Sequence, residues 1–265
     1  MKNFGSAVTY ASYLKVNELL SLQSPRSSGP EHDEMLFIVV HQTYELWFKC
    51  VLHELARAQQ LLELGDTHSS LPVLGRVRTI FKVLVSQVDI LETMTPLQFN
   101  SFRDRLEAAS GFQSVQFREL EAVLGRRDKS MVDHLEPNSE PQQRVQSAMN
   151  RPALFDSVIS YLTMRDHKMP VAATTRDFSE QYEANEEVQE SLANTYRNDP
   201  EAAMMLERLI DIDEGLQEWR YRHVKMVERT IGMKHGTGGS SGAAYLASTL
   251  FKPTFPDLWA VRSRF

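Results

Sequence analysis

A single cysteine, Cys50, stands in the whole sequence, which rules out an intramolecular disulfide and any zinc site built from several thiolates. Positive charge is in deficit. Lys and Arg number 29 against 35 Asp and Glu, a formal net charge of -6, so neither a nucleic-acid surface nor an anionic membrane is a fitting partner. The arginines are better suited to specific small anions. No run approaches the roughly 18 apolar residues of a membrane span, and residues 1–12 hold no apolar segment of a secretion signal, so the expected location is cytoplasmic. Strand-like alternation is scarce as well. What remains, 42% hydrophobic and 24% charged residues, is an ordinary globular composition with enough apolar material for a sizeable core.

Proline is missing from residues 31–71 and again from 201–252, and helical periodicity fills both spans. The acidic group Glu31, Asp33 and Glu34 opens the first, where negative charge suits a helix N-terminus, and the helix is expected to reach about Leu64 with Gly65 as its cap. A second helix is expected from Leu71 to Met94, and a third from Thr95-Pro96, carrying Phe99, Phe102, Arg103 and Leu106. Others cover Ser114–Leu124 and Pro152–Thr163, and the last runs from Pro200 to Met233. The stretch from Gly125 to Tyr182 is more polar and reads as a looser excursion between packed parts. No internal repeat is visible. The expectation is an all-α fold, one helical domain over residues 1–265.

Within the last helix the apolar stripe Leu206, Leu209, Ile212, Leu216, Trp219, His223 and Val227 places an imidazole on the buried face. Such a histidine serves either as a core residue bonded to a carbonyl or as a ligand for a metal or a haem iron. The first long helix offers a second case. Phe37, His41, Tyr44 and Phe48 follow steps of four, three and four, which is equally a core stripe and an aromatic pocket wall with one polar group in it. Arg103, flanked by Asp104 and Arg105, is a solvated residue if it points outward and a bidentate carboxylate grip if it points inward.

Seven small residues, Gly236 to Gly242, follow the last helix. They are no nucleotide fingerprint, because no lysine follows and no strand precedes. Closely spaced backbone N–H groups and hydroxyls there can wrap an anionic or zwitterionic ligand. Multi-ligand metal sites find no support: no histidine has Glu three residues before it, and His53-Glu54 does not continue as a zinc-protease motif. A haem needs only one good histidine and an apolar slot between helices.

Six blocks, in order along the chain, resemble the tryptophan 2,3-dioxygenase family: Thr9-Tyr10-Ala11-Ser12-Tyr13-Leu14-Lys15, His32 through Ile38, His41-Gln42-Thr43-Tyr44-Glu45-Leu46-Trp47, Phe102-Arg103 through Ser110-Gly111-Phe112-Gln113-Ser114, Trp219-Arg220-Tyr221-Arg222-His223, and Gly236 through Gly242. The resemblance implies a helical bundle whose long helices enclose haem b, with His223 as the proximal iron ligand. It implies that Phe37 and His41 wall the distal side and that His41 accepts a hydrogen bond from the indole N–H of L-tryptophan. Arg103 would bind the substrate carboxylate. Thr237 would meet the ammonium and carboxylate beside a haem propionate, with Gly236 next to it. Tyr10 and Tyr13 match tyrosines that a neighbouring subunit supplies, which implies a homotetramer. Phe99 stands where some members have a tyrosine near the carboxylate. The implied reaction is insertion of O2 across the indole C2–C3 bond to give N-formylkynurenine, the first step of the kynurenine pathway. Two other activities fit the same motifs, a haem-dependent indole monooxygenase forming a 2-oxindole and a haem sensor without turnover.

Overall fold

The computed structural model describes residues 7–29, 31–236 and 242–265, apart from the side chains of Ala244 and Tyr245. Among these residues there are helices and short 3-10 turns and no strand. In order they are α1 (Tyr10–Leu14), α2 (Val16–Leu19), α3 (Asp33–Glu63), α4 (Thr67–Leu91), α5 (Pro96–Arg103), α6 (Val115–Leu124), α7 (Glu140–Met149), α8 (Leu154–Met164), α9 (Val171–Thr174), α10 (Glu186–Asn198), α11 (Pro200–Ile231), α12 (Ala243–Ala247) and α13 (Pro256–Ala260). The fold is all-α, as the sequence implies.

Local chemistry sets most of the boundaries. Thr95 closes a capping box with Gln98 ahead of Pro96, Ser114 accepts from Phe117 N–H at the start of α6, and Asp199 accepts from Ala202 N–H at the start of α11. Three elements differ from the sequence expectation, the first being α5, which ends at Arg103 and leaves Leu106 to a 3-10 turn. Helix α4 begins at Thr67 rather than Leu71, because Asp66 accepts from Ser69 N–H and starts the helix ahead of Pro72, which sits in its second turn. Helix α10 was not expected at all; Asn185 caps it by accepting from the N–H groups of Glu187 and Val188. The segment expected to be loose holds α7, α8 and α9, and a small apolar cluster of Met131, Val132, Val145, Ala148 and Met149 packs there with Ala122.

Three long helices make the frame. Tyr44 Oη donates to the Leu84 carbonyl and Arg76 pairs with Glu54, so α3 and α4 run antiparallel. Arg78 pairs with Asp211 and Arg222 with Asp89, so α4 and α11 run parallel. Gly215 permits the close approach of those two: a Cβ there would lie 3.1 Å from Cβ of Phe81. Both α3 and α11 pack along α4 and make little direct contact with each other. The α11 stripe accordingly changes use along its length. Leu206, Leu209, Ile212 and Leu216 are buried in the core, whereas Trp219, His223 and Val227 are half-buried and face a cavity.

Asp213 fastens the C-terminal segment to α11. It is fully buried, and one oxygen, Oδ2, accepts from Thr254 N–H at 2.8 Å, Phe255 N–H at 3.2 Å and Trp259 Nε1–H at 2.8 Å. Asp213→Ala strands three donors at once, so it is expected to cost on the order of 3 kcal/mol of folding stability. Urea denaturation of the variant measures this; an unchanged midpoint would show that the latch contributes nothing.

Candidate functional site

The cavity between α3 and α11 is closed laterally by α5, α6 and the 104–114 segment, and its volume is about 260 Å³.

His41 faces the cavity from α3. Its Nδ1 lies 2.7 Å from the Phe37 carbonyl oxygen, one turn back. A carbonyl only accepts, so Nδ1 carries the proton and Nε2 is left with a lone pair. Burial depresses the proton affinity of the ring, against the opposing pull of the Phe37 carbonyl and of the Glu45 carboxylate. The ring is thus neutral and presents an acceptor. Phe37 lies against it, with centroids 4.0 Å apart, and Phe99 and Phe102 extend the same aromatic wall at 5.8 and 5.6 Å from Phe37.

His223 faces the cavity from α11 and stacks on Trp219, with ring centroids 5.2 Å apart and planes 13° from parallel. Burial, assisted by His41, pushes its pKa down to about 4, so the imidazole is neutral at physiological pH. Neither ring nitrogen has a hydrogen-bond partner among the described residues. A neutral imidazole with an unspent nitrogen in an apolar cavity is the donor that a haem iron takes. Among the described residues no three His, Cys, Asp or Glu side chains converge to hold a bare ion. The arrangement therefore suits a metal that brings its other ligands in a macrocycle.

Arg103, at the end of α5, also lines the cavity, and its Nη2 donates to the His235 carbonyl at 2.6 Å. That contact ties the guanidinium to the start of the glycine-rich run. The chain comes back on itself at Gly242: its φ is +62°, and a Cβ there would sit 2.6 Å from the Lys234 carbonyl oxygen, so only glycine fits. Gly236 lines the cavity, and Thr237 lies outside the described residues.

Tyr10 and Tyr13 are elsewhere. They are exposed on α1, which buries none of its residues against the rest of the chain, and they do not line this cavity. The structure adds wall residues that sequence reading passed over. Glu45 is held by Ser114 Oγ at 2.6 Å and Gln116 Nε2 at 2.8 Å, and Arg118, Glu121, Arg126 and Arg220 form a cluster in the inner wall. The i, i+3 spacing of Arg118 and Glu121 is a signal in the sequence; the approach of Arg220, far along the chain, is not.

Known proteins resemble the chain over nearly its whole length. The family model described as tryptophan 2,3-dioxygenase matches residues 1–192 and 136–265. A protein of Herpetosiphon aurantiacus named tryptophan 2,3-dioxygenase is 56% identical over 259 residues, covering 97% of this chain and 98% of the relative. One of Anaeromyxobacter dehalogenans with the same name is 58% identical, covering 97% and 96%, and one of Caulobacter vibrioides is 45% identical, covering 97% and 98%. With the family model spanning the chain and relatives this similar over nearly their full length, the chain belongs to the tryptophan 2,3-dioxygenase family.

Proposed function

We propose that this chain is a haem-dependent dioxygenase that converts L-tryptophan and O2 to N-formylkynurenine, both oxygen atoms entering the product across the indole C2–C3 bond. The observation that carries the reading is the meeting of two neutral histidines in one apolar cavity, one with an unspent nitrogen and one presenting an acceptor. When bound, haem b supplies the activation of O2.

The chain's own residues hold, orient and exclude. His223 gives its free nitrogen to the iron, and Trp219 fixes the plane of that ring. Phe37 and Phe99 give the flat indole an apolar slot and keep water from it, while His41 Nε2 accepts the indole N–H. The planar fork of Arg103 takes the carboxylate in two parallel bonds. Thr237 would meet the ammonium and a propionate, beside Gly236. Fixing three points of the substrate turns an encounter in solution into a positioned reaction. Tyr10 and Tyr13, bare on their own chain, are supplied to a neighbour's site in a homotetramer, and the enzyme works in the cytoplasm at the head of tryptophan breakdown. No helix among the described residues is long and apolar enough to cross a membrane.

Mass spectrometry of the product from L-tryptophan, under air with ascorbate as reductant, tests the reading directly. Gain of two oxygen atoms is expected; gain of one would make the protein a monooxygenase, and haem binding without product a sensor. His41→Ala is expected to keep measurable turnover and to lose about 1–3 kcal/mol of kcat/KM, the cost of an unpaired buried donor. Complete inactivation with tryptophan affinity unchanged would instead make His41 an obligatory base.

A further inference from the structure

Arg118, Arg126 and Arg220 converge on one carboxylate in the inner wall of the cavity. Arg118 Nη1 lies 2.5 Å from Glu121 Oε2, and Arg126 Nη1 and Arg220 Nη2 lie 2.9 and 3.0 Å from Oε1. Glu121 is 3% exposed and Arg118 5%. Arg126 also reaches Asp128 Oδ2, so three guanidinium groups meet two carboxylates. One positive charge is in surplus. The field of the cluster is felt outside it: Arg118 helps to depress the proton affinity of His134, and the arginines together hold Glu121 below the usual carboxylate range against its burial.

A second observation concerns donors rather than charge. Arg118 is spent, its Nε and Nη2 donating to the Phe112 carbonyl and its plane lying over the Phe112 ring at 4.5 Å. Arg220 is not. Its side chain is only 13% exposed and lines the cavity, and its one hydrogen bond is the contact with Glu121, which leaves the other N–H groups of its fork unused. A guanidinium kept from bulk water with most of its donors unspent is costly unless an anion completes it.

We infer that Arg220, set in place by Glu121 and flanked by the positive charges of Arg118 and Arg126, forms a carboxylate subsite in the cavity wall, on another element than Arg103, and that its occupant is a propionate of the porphyrin. The inference rests on the haem reading given above. Substrate carboxylate is the other source of the same chemistry, but Arg103 on α5 already offers that group a fork beside the glycine-rich run. Arg220 stands three residues before His223 on α11 and lines the same cavity, so the cluster belongs to the wall that would hold the porphyrin.

The test compares haemin with haemin dimethyl ester, in which both propionates are neutral, by Soret titration of the haem-free protein. The wild type is expected to bind haemin more tightly than the ester, and Arg220→Leu to lose roughly tenfold or more of haemin affinity while ester affinity stays the same. Glu121→Gln distinguishes ligand binding from mere support of the fold. It removes the competing carboxylate, so the preference for haemin over the ester should hold or grow, whereas a structural role predicts equal weakening of both. Equal loss for both porphyrins in Arg220→Leu, or an undiminished preference for haemin, overturns the subsite. Retained haemin preference with weakened L-tryptophan binding in Arg220→Leu would assign the arginines to substrate and likewise overturn it. If neither porphyrin binds the wild type, it is the haem reading that fails, which is a different result.

Discussion

His223→Ala is expected to yield a folded protein without a Soret band. Among the described residues the imidazole is the one group of α11 in the cavity with a neutral nitrogen lone pair to give, since the unpartnered Trp219 Nε1 can only donate, and alanine removes the proposed bond to iron while leaving the apolar slot. His41 is poorly placed to replace it. Its ring is pinned by the Phe37 carbonyl at 2.7 Å and packed on the Phe37 ring, on the opposite wall. Apolar contacts alone hold porphyrin loosely, so free imidazole added to the variant should restore the band by occupying the vacated space. His41→Ala, by contrast, should retain it. Full haem occupancy in purified His223→Ala, without added imidazole, would overturn the ligand assignment.

The second large effect is expected at Arg103. A guanidinium paired with a carboxylate in a water-poor site costs several kcal/mol when one partner is removed, so Arg103→Leu should lose roughly two orders of magnitude or more in kcat/KM for L-tryptophan. Tryptamine lacks the carboxylate. The wild type should reject it strongly, because its binding strands the arginine, and the variant should lose most of that preference. The bond from Arg103 to His235 makes the tryptamine arm informative in another way. If the substitution acted only by loosening the glycine-rich run, both substrates would suffer alike; a deficit confined to L-tryptophan locates the effect at the carboxylate. Equal handling of both substrates by the wild type would remove Arg103 from substrate binding.

Helix positions were legible in the sequence where a local cap announces them. Thr95, Ser114 and Asp199 each satisfy donors within three residues, and periodicity does the rest. Helix α10 carries a cap of the same kind in Asn185 and an apolar face in Val188, Leu192 and Ala193, so it was legible and passed over, whereas the early start of α4 escaped because Pro72 invites a boundary that Asp66 overrides. The stripes gave the phase of His41 and His223, yet periodicity could not distinguish a core face from a cavity face. That depends on how far α3 stands from α11. The resemblance made the choice in the sequence, and the structure supplies a physical reason for it in the tautomer of His41 and the unspent nitrogen of His223. The arginine cluster was beyond reach, since Arg220 meets Glu121 only through tertiary packing.

Because the backbone at Gly242 returns to the carbonyl of Lys234 with φ at +62°, any side chain there must push that carbonyl aside. The next carbonyl along, that of His235, is the one Arg103 grips. A position with no side chain of its own therefore governs the aim of a guanidinium far away in the sequence, and Gly242→Ala would be felt at Arg103 before it was felt in the helical frame.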